Sequence, residues 1–396
     1  MARDKIVLAF SGGLDTSVAV PWLKEKYDAD IITLTMDLGM VDLESIKSRA
    51  RQVGAVKALA VDAKEALVKE FLFPALQSGA IYEGMYPLAT ALGRPLIARC
   101  LVEAAQAEGA FAVAHGCTGK GNDQVRIDVS VIALAPELKV IAPIREWGMS
   151  REDEVDYARE RNIPINAGKS RFSVDENLWG RSAEAGELED PWAEPPEAAY
   201  QWTRPVNETP DDPTNLEIHF DQGIPTAIDG ESMAGTDLIH HLNNLAGTNG
   251  VGRIDHVENR LVGIKSREIY EAPAAVVLHA AHQALEAMTL GKDQARTKAR
   301  IAQEYADVVY NGLWFTAHRR DLDAYIQSTQ RYVTGNIKVR LHKGTCTVVG
   351  RSSPHTLYQH QLATYDRGDQ FNHSAAEGFI TIYGLPVRTQ NQTQRE

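Results

Sequence analysis

Short apolar runs alternate with longer amphipathic stretches over the first 165 residues. Runs rich in β-branched residues at 6–10, 31–36, 56–61, 110–115 and 138–142 predict strands. Between them, apolar positions recur at helical spacing near 16–27, 42–53, 63–72, 94–108, 122–134 and 151–161. Strands this uniformly apolar are buried on both faces, so the pattern predicts an α/β fold with a doubly wound parallel sheet and a ligand at the carboxyl ends of its strands. Pro21 falls inside the first helix. Its missing N–H cannot bond back to Ser17, which predicts a kink or distorted turn at an interior cost of roughly 3 kcal/mol.

The pattern breaks from 162 to about 215, where Pro164, Pro191, Pro195, Pro196, Pro205, Pro210 and Pro213 accompany Trp179, Trp192, Trp202 and many acids. Regular structure is not expected there. The stretch is long for a passive linker and is read as packing over the surface and helping to close a site, with a role-free excursion the alternative for 185–213. From 216 a different rhythm begins. It predicts a hairpin turning at Gln222-Gly223, a helix at 236–246, long helices at 272–290 and 293–312, a shorter one at 318–331, and a hairpin turning at Lys343-Gly344. This is an α+β region. The expected division is 1–165, 166–375 and a C-terminal arm or tail at 376–396, with the last dozen polar residues frayed or reaching a neighbouring subunit.

The chemistry starts where the first strand ends. Ile6 to Phe10 empties through Ser11, Gly12 and Gly13 into a helix. A glycine turn that opens a helix presents unpaired backbone N–H groups at the positive end of the helix dipole, which makes an anion site. Ser11, Thr16 and Ser17 add hydroxyls. Asp15 is either an N-cap or a contact to a metal or amine. There is no lysine here, so this is not a Walker loop. The same device recurs at 115–126, His-Gly-Cys-Thr-Gly-Lys-Gly-Asn-Asp-Gln-Val-Arg. Thr118, Lys120, Asn122, Asp123 and Arg126 there suit an amino acid, with donors for a carboxylate and an acid for an ammonium. Asn122 also fits a helix N-cap, and His115 is a ligand or a strand-end residue bonded to backbone. Two phosphate-friendly turns, one suited to an amino acid, suggest ATP activating a group that an amine then attacks.

Composition narrows the partners. Among 396 residues, 41 Lys and Arg against 53 Asp and Glu give a net charge of −12, which argues against nucleic acid held by a broad positive field. Cys100, Cys117 and Cys346 are far apart, with no disulfide or metal pattern, so no metal site is assigned. The opening MARDKIV carries no apolar leader and no apolar run reaches the ~20 residues of a membrane span. The expectation is a cytoplasmic enzyme without a membrane partner.

Ser-Gly-Gly-Leu-Asp-Thr-Ser at 11–17 resembles the PP-loop of the ATP pyrophosphatases. With Thr-Gly-Lys-Gly-Asn-Asp-Gln-Val-Arg at 118–126, Ser-Val-Asp-Glu-Asn-Leu-Trp-Gly-Arg-Ser at 173–182, Gly-Arg-Ile-Asp-His-Val-Glu-Asn-Arg at 252–260 and Lys-Ser-Arg-Glu-Ile-Tyr-Glu at 265–271, the chain resembles the argininosuccinate synthase family from residue 5 to beyond 350. The resemblance implies an adenine nucleotide alpha hydrolase-like sheet followed by an α+β synthetase region. It also implies ligation of citrulline and aspartate, with MgATP as a substrate complex and no tightly bound cofactor, in a homotetramer. Residue by residue it implies ATP contacts at Ala9, Phe10, Ser11, Gly12, Gly13, Leu14, Asp15, Thr16, Ser17, Met36 and Gly116. Aspartate contacts fall at Thr118, Asn122 and Asp123. Citrulline contacts fall at Tyr86, Asn122, Arg126, Ser173, Ser182, Glu258 and Tyr270, so the site is expected in a cleft between domains. Asp15, through magnesium or loop order, and Asp123, as an acceptor of the ammonium proton, are the candidate catalytic groups. The family usually has a serine where this chain has Ala91, with Thr90 or a water as a replacement. Another PP-loop enzyme, such as a tRNA thiolase, is the runner-up.

Overall fold

The computed structural model describes residues 3–39, 42–164 and 171–394. Strands β1 (Lys5–Ala9), β2 (Asp30–Asp37), β3 (Lys57–Asp62), β4 (Ala112–Ala114) and β5 (Lys139–Ile141) form one parallel sheet in the order β3-β2-β1-β4-β5. Period-two alternation sends the β1 side chains to opposite faces. Ile6 and Leu8 pack with Val18, Ala19 and Leu23 of helix Leu14–Tyr27, while Val7 packs with Leu101 and Ile127 of helices Ala89–Glu108 and Asp123–Leu134. The strand order reverses between β1 and β4, the switch point where open sheets of this kind leave a crevice.

Helix Leu14–Tyr27 runs through Pro21 as one element. Burial of Val18, Ala19, Val20 and Leu23 against the sheet outweighs one lost hydrogen bond. The helix expected at 94–108 begins at Ala89 and continues through Pro95, which puts Thr90, Ala91 and Arg94 on one helical turn. The helix expected at 63–72 is Lys64–Leu67, a π turn at Val68–Leu72 and Phe73–Ser78.

The stretch expected to be irregular contains a hairpin, β6 (Ser173–Asn177) with β7 (Gly180–Glu184). Its turn is locked from outside. The buried Trp179 donates through Nε1 to the Pro87 carbonyl at 2.9 Å, and Asn177 Nδ2 donates to the Ala89 carbonyl at 2.7 Å. Beyond it, β8 (Thr214–Asp221), β9 (Ile224–Ile228) and β10 (Glu231–Ser232) are followed by β11 (Arg253–Asn259) and β12 (Lys265–Glu271). Strands β13 (Gly335–His342) and β14 (Thr345–Ser352) complete two antiparallel sheets, ordered β10-β9-β8-β13-β14 and β11-β12-β7-β6. Both predicted hairpin turns hold, with Gln222-Gly223 and Lys343-Gly344 at positive φ. Helices Gly235–Thr248 and Pro273–Thr289 cover the five-stranded sheet, joining Leu238, Leu242, Leu278 and Leu285 to Ile218, Phe220, Ile337 and Val339.

The chain from the first described residues to His355 is one unit, and a second begins at Thr356. The expected 165/166 boundary lies outside the described residues. Residues 385–393, expected to fray, form helix Leu385–Thr393, which Pro386 starts at a position where its lost N–H costs nothing.

The chain after the hairpin has a definite structural role. Glu271, fully buried, accepts from the backbone N–H groups of Gln201, Trp202 and Thr203 at 2.8, 2.8 and 2.9 Å, from the Thr203 hydroxyl at 2.7 Å, and from buried Arg181 at 3.1 Å. Removing one partner of such a pair strands the other charge. Glu271→Ala is expected to cost about 3–5 kcal/mol, read as a lowered urea midpoint, whereas an unchanged midpoint would contradict this role.

Candidate active site

At the carboxyl ends of β1, β2 and β4 lies a cavity of about 350 Å³. Ala9, Phe10, Ser11, Gly13, Leu14, Asp15 and Thr16 line it, with Met36 and Gly116 opposite. Gly13 is the N-cap of helix Leu14–Tyr27 without a side-chain cap, so the first N–H groups of that helix are left for a ligand. Asp15 sits in the first turn and is not the cap. Ser11 Oγ and Thr16 Oγ1 are hydrogen-bonded at 3.1 Å. The two glycine turns touch: a Cβ on Gly116 would stand 2.9 Å from Thr16 Cγ2, so only glycine lets the second turn close on the first. Gly12 and Ser17 do not line the cavity. Gly12 turns away at φ +76 with its carbonyl taken by Arg49 at 2.5 Å, and the Ser17 hydroxyl is buried with no partner among the described residues.

A second pocket of about 120 Å³ adjoins the first, and Asp175 lines both. It collects Tyr86, Thr118, Asn122, Asp123, Arg126, Ser182, Glu258 and Tyr270 from both halves of the chain. Ser173 alone among the expected amino-acid contacts is outside it. That residue shares a strand face with Asp175 but is exposed at the outer end of β6. Asn122 is no side-chain cap. Its Nδ2 donates to Tyr310 Oη at 2.8 Å and its Oδ1 accepts from Leu261 N at 2.9 Å. His115 is a strand-end residue, accepting from Cys117 N at Nδ1 and bonded through Nε2 to Asp128 at 2.7 Å.

Tyr310 ties the pocket together, and nothing in the sequence announced it. Its hydroxyl donates to Glu258 Oε1 at 2.5 Å and its carbonyl accepts from Arg126 Nε at 2.8 Å. Its ring lies flat on Tyr82, centroids 3.6 Å apart, and under the Arg126 guanidinium at 4.7 Å. Tyr270 donates to Glu258 Oε2 at 2.6 Å and stacks on Tyr86. Arg260, bridging Glu184 and Glu268, and Thr90 also line the pocket. Burial and the nearby Glu184 push the Glu268 carboxyl up to about 8, against the pull of Arg260.

Asp123 is gripped from both sides, by Arg126 Nη1 at 2.9 Å and Arg94 Nη2 at 2.7 Å. Burial alone would raise its pKa, but the two guanidiniums hold it far below the ordinary carboxylate range. So weak a base is poorly suited to take a proton from an ammonium, which speaks against the expected proton-acceptor role and for an electrostatic anchor. Arg126 Nη2 is buried with no partner among the described residues, a donor left over for a ligand.

Behind the nucleotide-side cavity, Glu154 is buried and its Oε2 has no partner among the described residues. Burial, then Asp15, raise its carboxyl to about 8. Keeping Glu154 neutral removes its repulsion with Asp15 in the first turn of the helix. A carboxyl raised on folding stabilises while protonated, so this contribution is present at low pH and lost as pH rises from about 4.5 towards 8. Unfolding midpoints measured across that window should fall for the native chain and fall less for Glu154→Gln, which keeps a donor to Asp15. Equal slopes would contradict a neutral, buried Glu154.

Residues 5–164 match the family model described as Arginosuccinate synthase N-terminal HUP domain, and residues 172–390 match the Arginosuccinate synthase C-terminal domain. Similar relatives are argininosuccinate synthases of Dehalococcoides mccartyi (57% identical, covering 99% of this chain and 97% of that one), Gloeobacter violaceus (56%, all of both chains) and Symbiobacterium thermophilum (55%, 100% and 99%). Matched from end to end, with its motifs gathered around two adjoining cavities, the chain belongs to the argininosuccinate synthase family.

Proposed function

We propose that this chain is the ligase its family name describes, joining citrulline and aspartate at the expense of ATP through a citrullyl-adenylate and releasing AMP and pyrophosphate, in arginine biosynthesis. The observation that carries the reading is the adjacency of an anion-binding helix start and an amino-acid pocket through one shared wall, Asp175. MgATP is a substrate. Its polyphosphate lies against the N–H groups at Leu14 to Thr16, and its adenosine lies towards Met36 and Gly116. Asp15 orders this loop through Glu154.

In the second pocket the citrulline carboxylate takes the free Nη2 of Arg126. Its ammonium faces Glu258, whose oxygens are aimed by Tyr270 and Tyr310. The aspartate co-substrate lies at Thr118, Asn122 and Asp123. Thr90 replaces the serine absent at Ala91. Tyr86 Oη accepts from Thr90 N at 2.9 Å and Ala91 N at 3.3 Å, so its own proton points to Thr90 Oγ1 at 2.9 Å. The Thr90 hydroxyl proton is then free for the ligand.

The ureido oxygen attacks the α-phosphorus, and pyrophosphate leaves into the loop, whose N–H groups meet the growing charge. The amine of aspartate then attacks the activated carbon and AMP departs. The protein contributes position and field, with no covalent intermediate of its own.

The working form is a cytoplasmic homotetramer with neither nucleic acid nor a membrane as partner. Among the described residues no helix is long and apolar enough to cross a membrane. The unit from Thr356 leaves Tyr358, Phe379, Ile380, Ile382 and Tyr383 exposed, an apolar surface that fits a neighbouring subunit.

Assayed with MgATP, the chain should form AMP and pyrophosphate only when citrulline and aspartate are both present, one AMP per product. Turnover with neither, or with tRNA, would overturn the assignment. Arg126→Lys keeps the charge but loses the fork and should raise KM for citrulline about 10- to 100-fold. Thr90→Val should raise it about tenfold, and an unchanged KM would return the hydrogen bond to water. Light scattering on the eluting protein should give four chain masses, and a monomer would exclude the tetramer.

A further inference from the structure

At the wall between the cavities stands an arginine outside the family motifs quoted above. Arg94 is the one lysine or arginine among the described residues lining the nucleotide cavity, which otherwise presents Asp15, Asp175 and Glu176. Nη2 makes both of its ion pairs, to Asp123 at 2.7 Å and to Asp175. Nη1 and Nε have no hydrogen-bond partner among the described residues, although the guanidinium has five N–H donors. The side chain is 14% exposed and lines the nucleotide cavity, with both carboxylates held on Nη2.

Resting on the ligase reading above, the reacting atoms must meet at this wall. The ureido oxygen comes from the amino-acid pocket and the α-phosphorus from the nucleotide cavity. The new O–P bond forms as the bond from the α-phosphorus to its bridging oxygen breaks. That electron pair leaves on pyrophosphate, and the former ureido group becomes a positively charged isourea, so no proton moves in this step. The helix start at Gly13 serves the departing pyrophosphate. The α-phosphoryl oxygens need their own cation, and we propose that Arg94 is that catalytic residue, donating from Nη1 and Nε to one non-bridging oxygen while Asp123 and Asp175 hold it in orientation. Carboxylates on one edge keep the guanidinium from collapsing onto the ground-state polyphosphate, which favours contact where the nucleophile arrives.

Pyrophosphate–ATP exchange with citrulline and no aspartate isolates this step. It is run with the two ATPαS diastereomers on the full-length chain, on Arg94→Lys and Arg94→Gln, and on Asp175→Asn. The native chain should exchange and prefer one diastereomer by tenfold or more. Both Arg94 variants should exchange 10²- to 10³-fold more slowly with KM for citrulline and ATP within about threefold, and the preference should fall towards one. Asp175→Asn should lose less rate and keep the preference. Lost rate with the preference retained would make Arg94 a structural tie between β6 and helix Asp123–Leu134, and would overturn the proposal. Equal exchange of both diastereomers by the native chain overturns it without any variant. No exchange by the native chain overturns the adenylate reading, and this inference with it.

Discussion

Asp123 held between Arg94 and Arg126 is the contact on which the site depends. This carboxylate is only partly open to solvent, and both guanidiniums stabilise its charge. Each guanidinium in turn reaches a different part of the molecule. Arg126 goes on to the Tyr310 carbonyl at the end of helix Lys292–Tyr310, and Arg94 goes on to Asp175 on β6. One acid at the start of helix Asp123–Leu134 therefore fixes where the parallel sheet meets both later layers. The two cavities share a wall because these elements converge on it.

The amino-acid pocket is acidic on balance. Asp123, Asp175, Glu184, Glu258 and Glu268 face Arg126 and Arg260. Substrates bearing α-ammonium groups suit such a lining, and Arg126 Nη2 supplies a buried donor with no partner among the described residues. The nucleotide cavity handles its far larger negative charge differently, with backbone N–H groups and the helix dipole in place of a lysine cluster. A net charge of −12 is thus compatible with a polyanionic substrate, because the field that matters is local.

The parallel sheet and the glycine turns were legible because short β-branched runs and helical spacing follow from local rules. The same rules failed at 173–184. SVDENLWGRSAE has strand geometry because Trp179 and Asn177 are captured by Pro87 and Ala89, contacts about 90 residues away that no local pattern encodes. Pro95 likewise concealed the first turn of its helix, and with it the placement of Thr90 and Arg94 beside the site. Tyr310 was invisible for a related reason. It closes a long amphipathic helix where a tyrosine reads as core, and its role comes from Asn122, Arg126 and Glu258 arriving from elsewhere. Sequence order preserved the motifs but not their neighbours.

The central claim is that the ureido oxygen in the second pocket reaches the phosphorus in the first. The most direct measurement is the fate of that atom. Citrulline labelled with ¹⁸O in the ureido group, turned over with MgATP and aspartate, should deliver its label to the phosphate of AMP, read by mass spectrometry. Label appearing in water or inorganic phosphate, with AMP unlabelled, would mean that no bond forms across the shared wall.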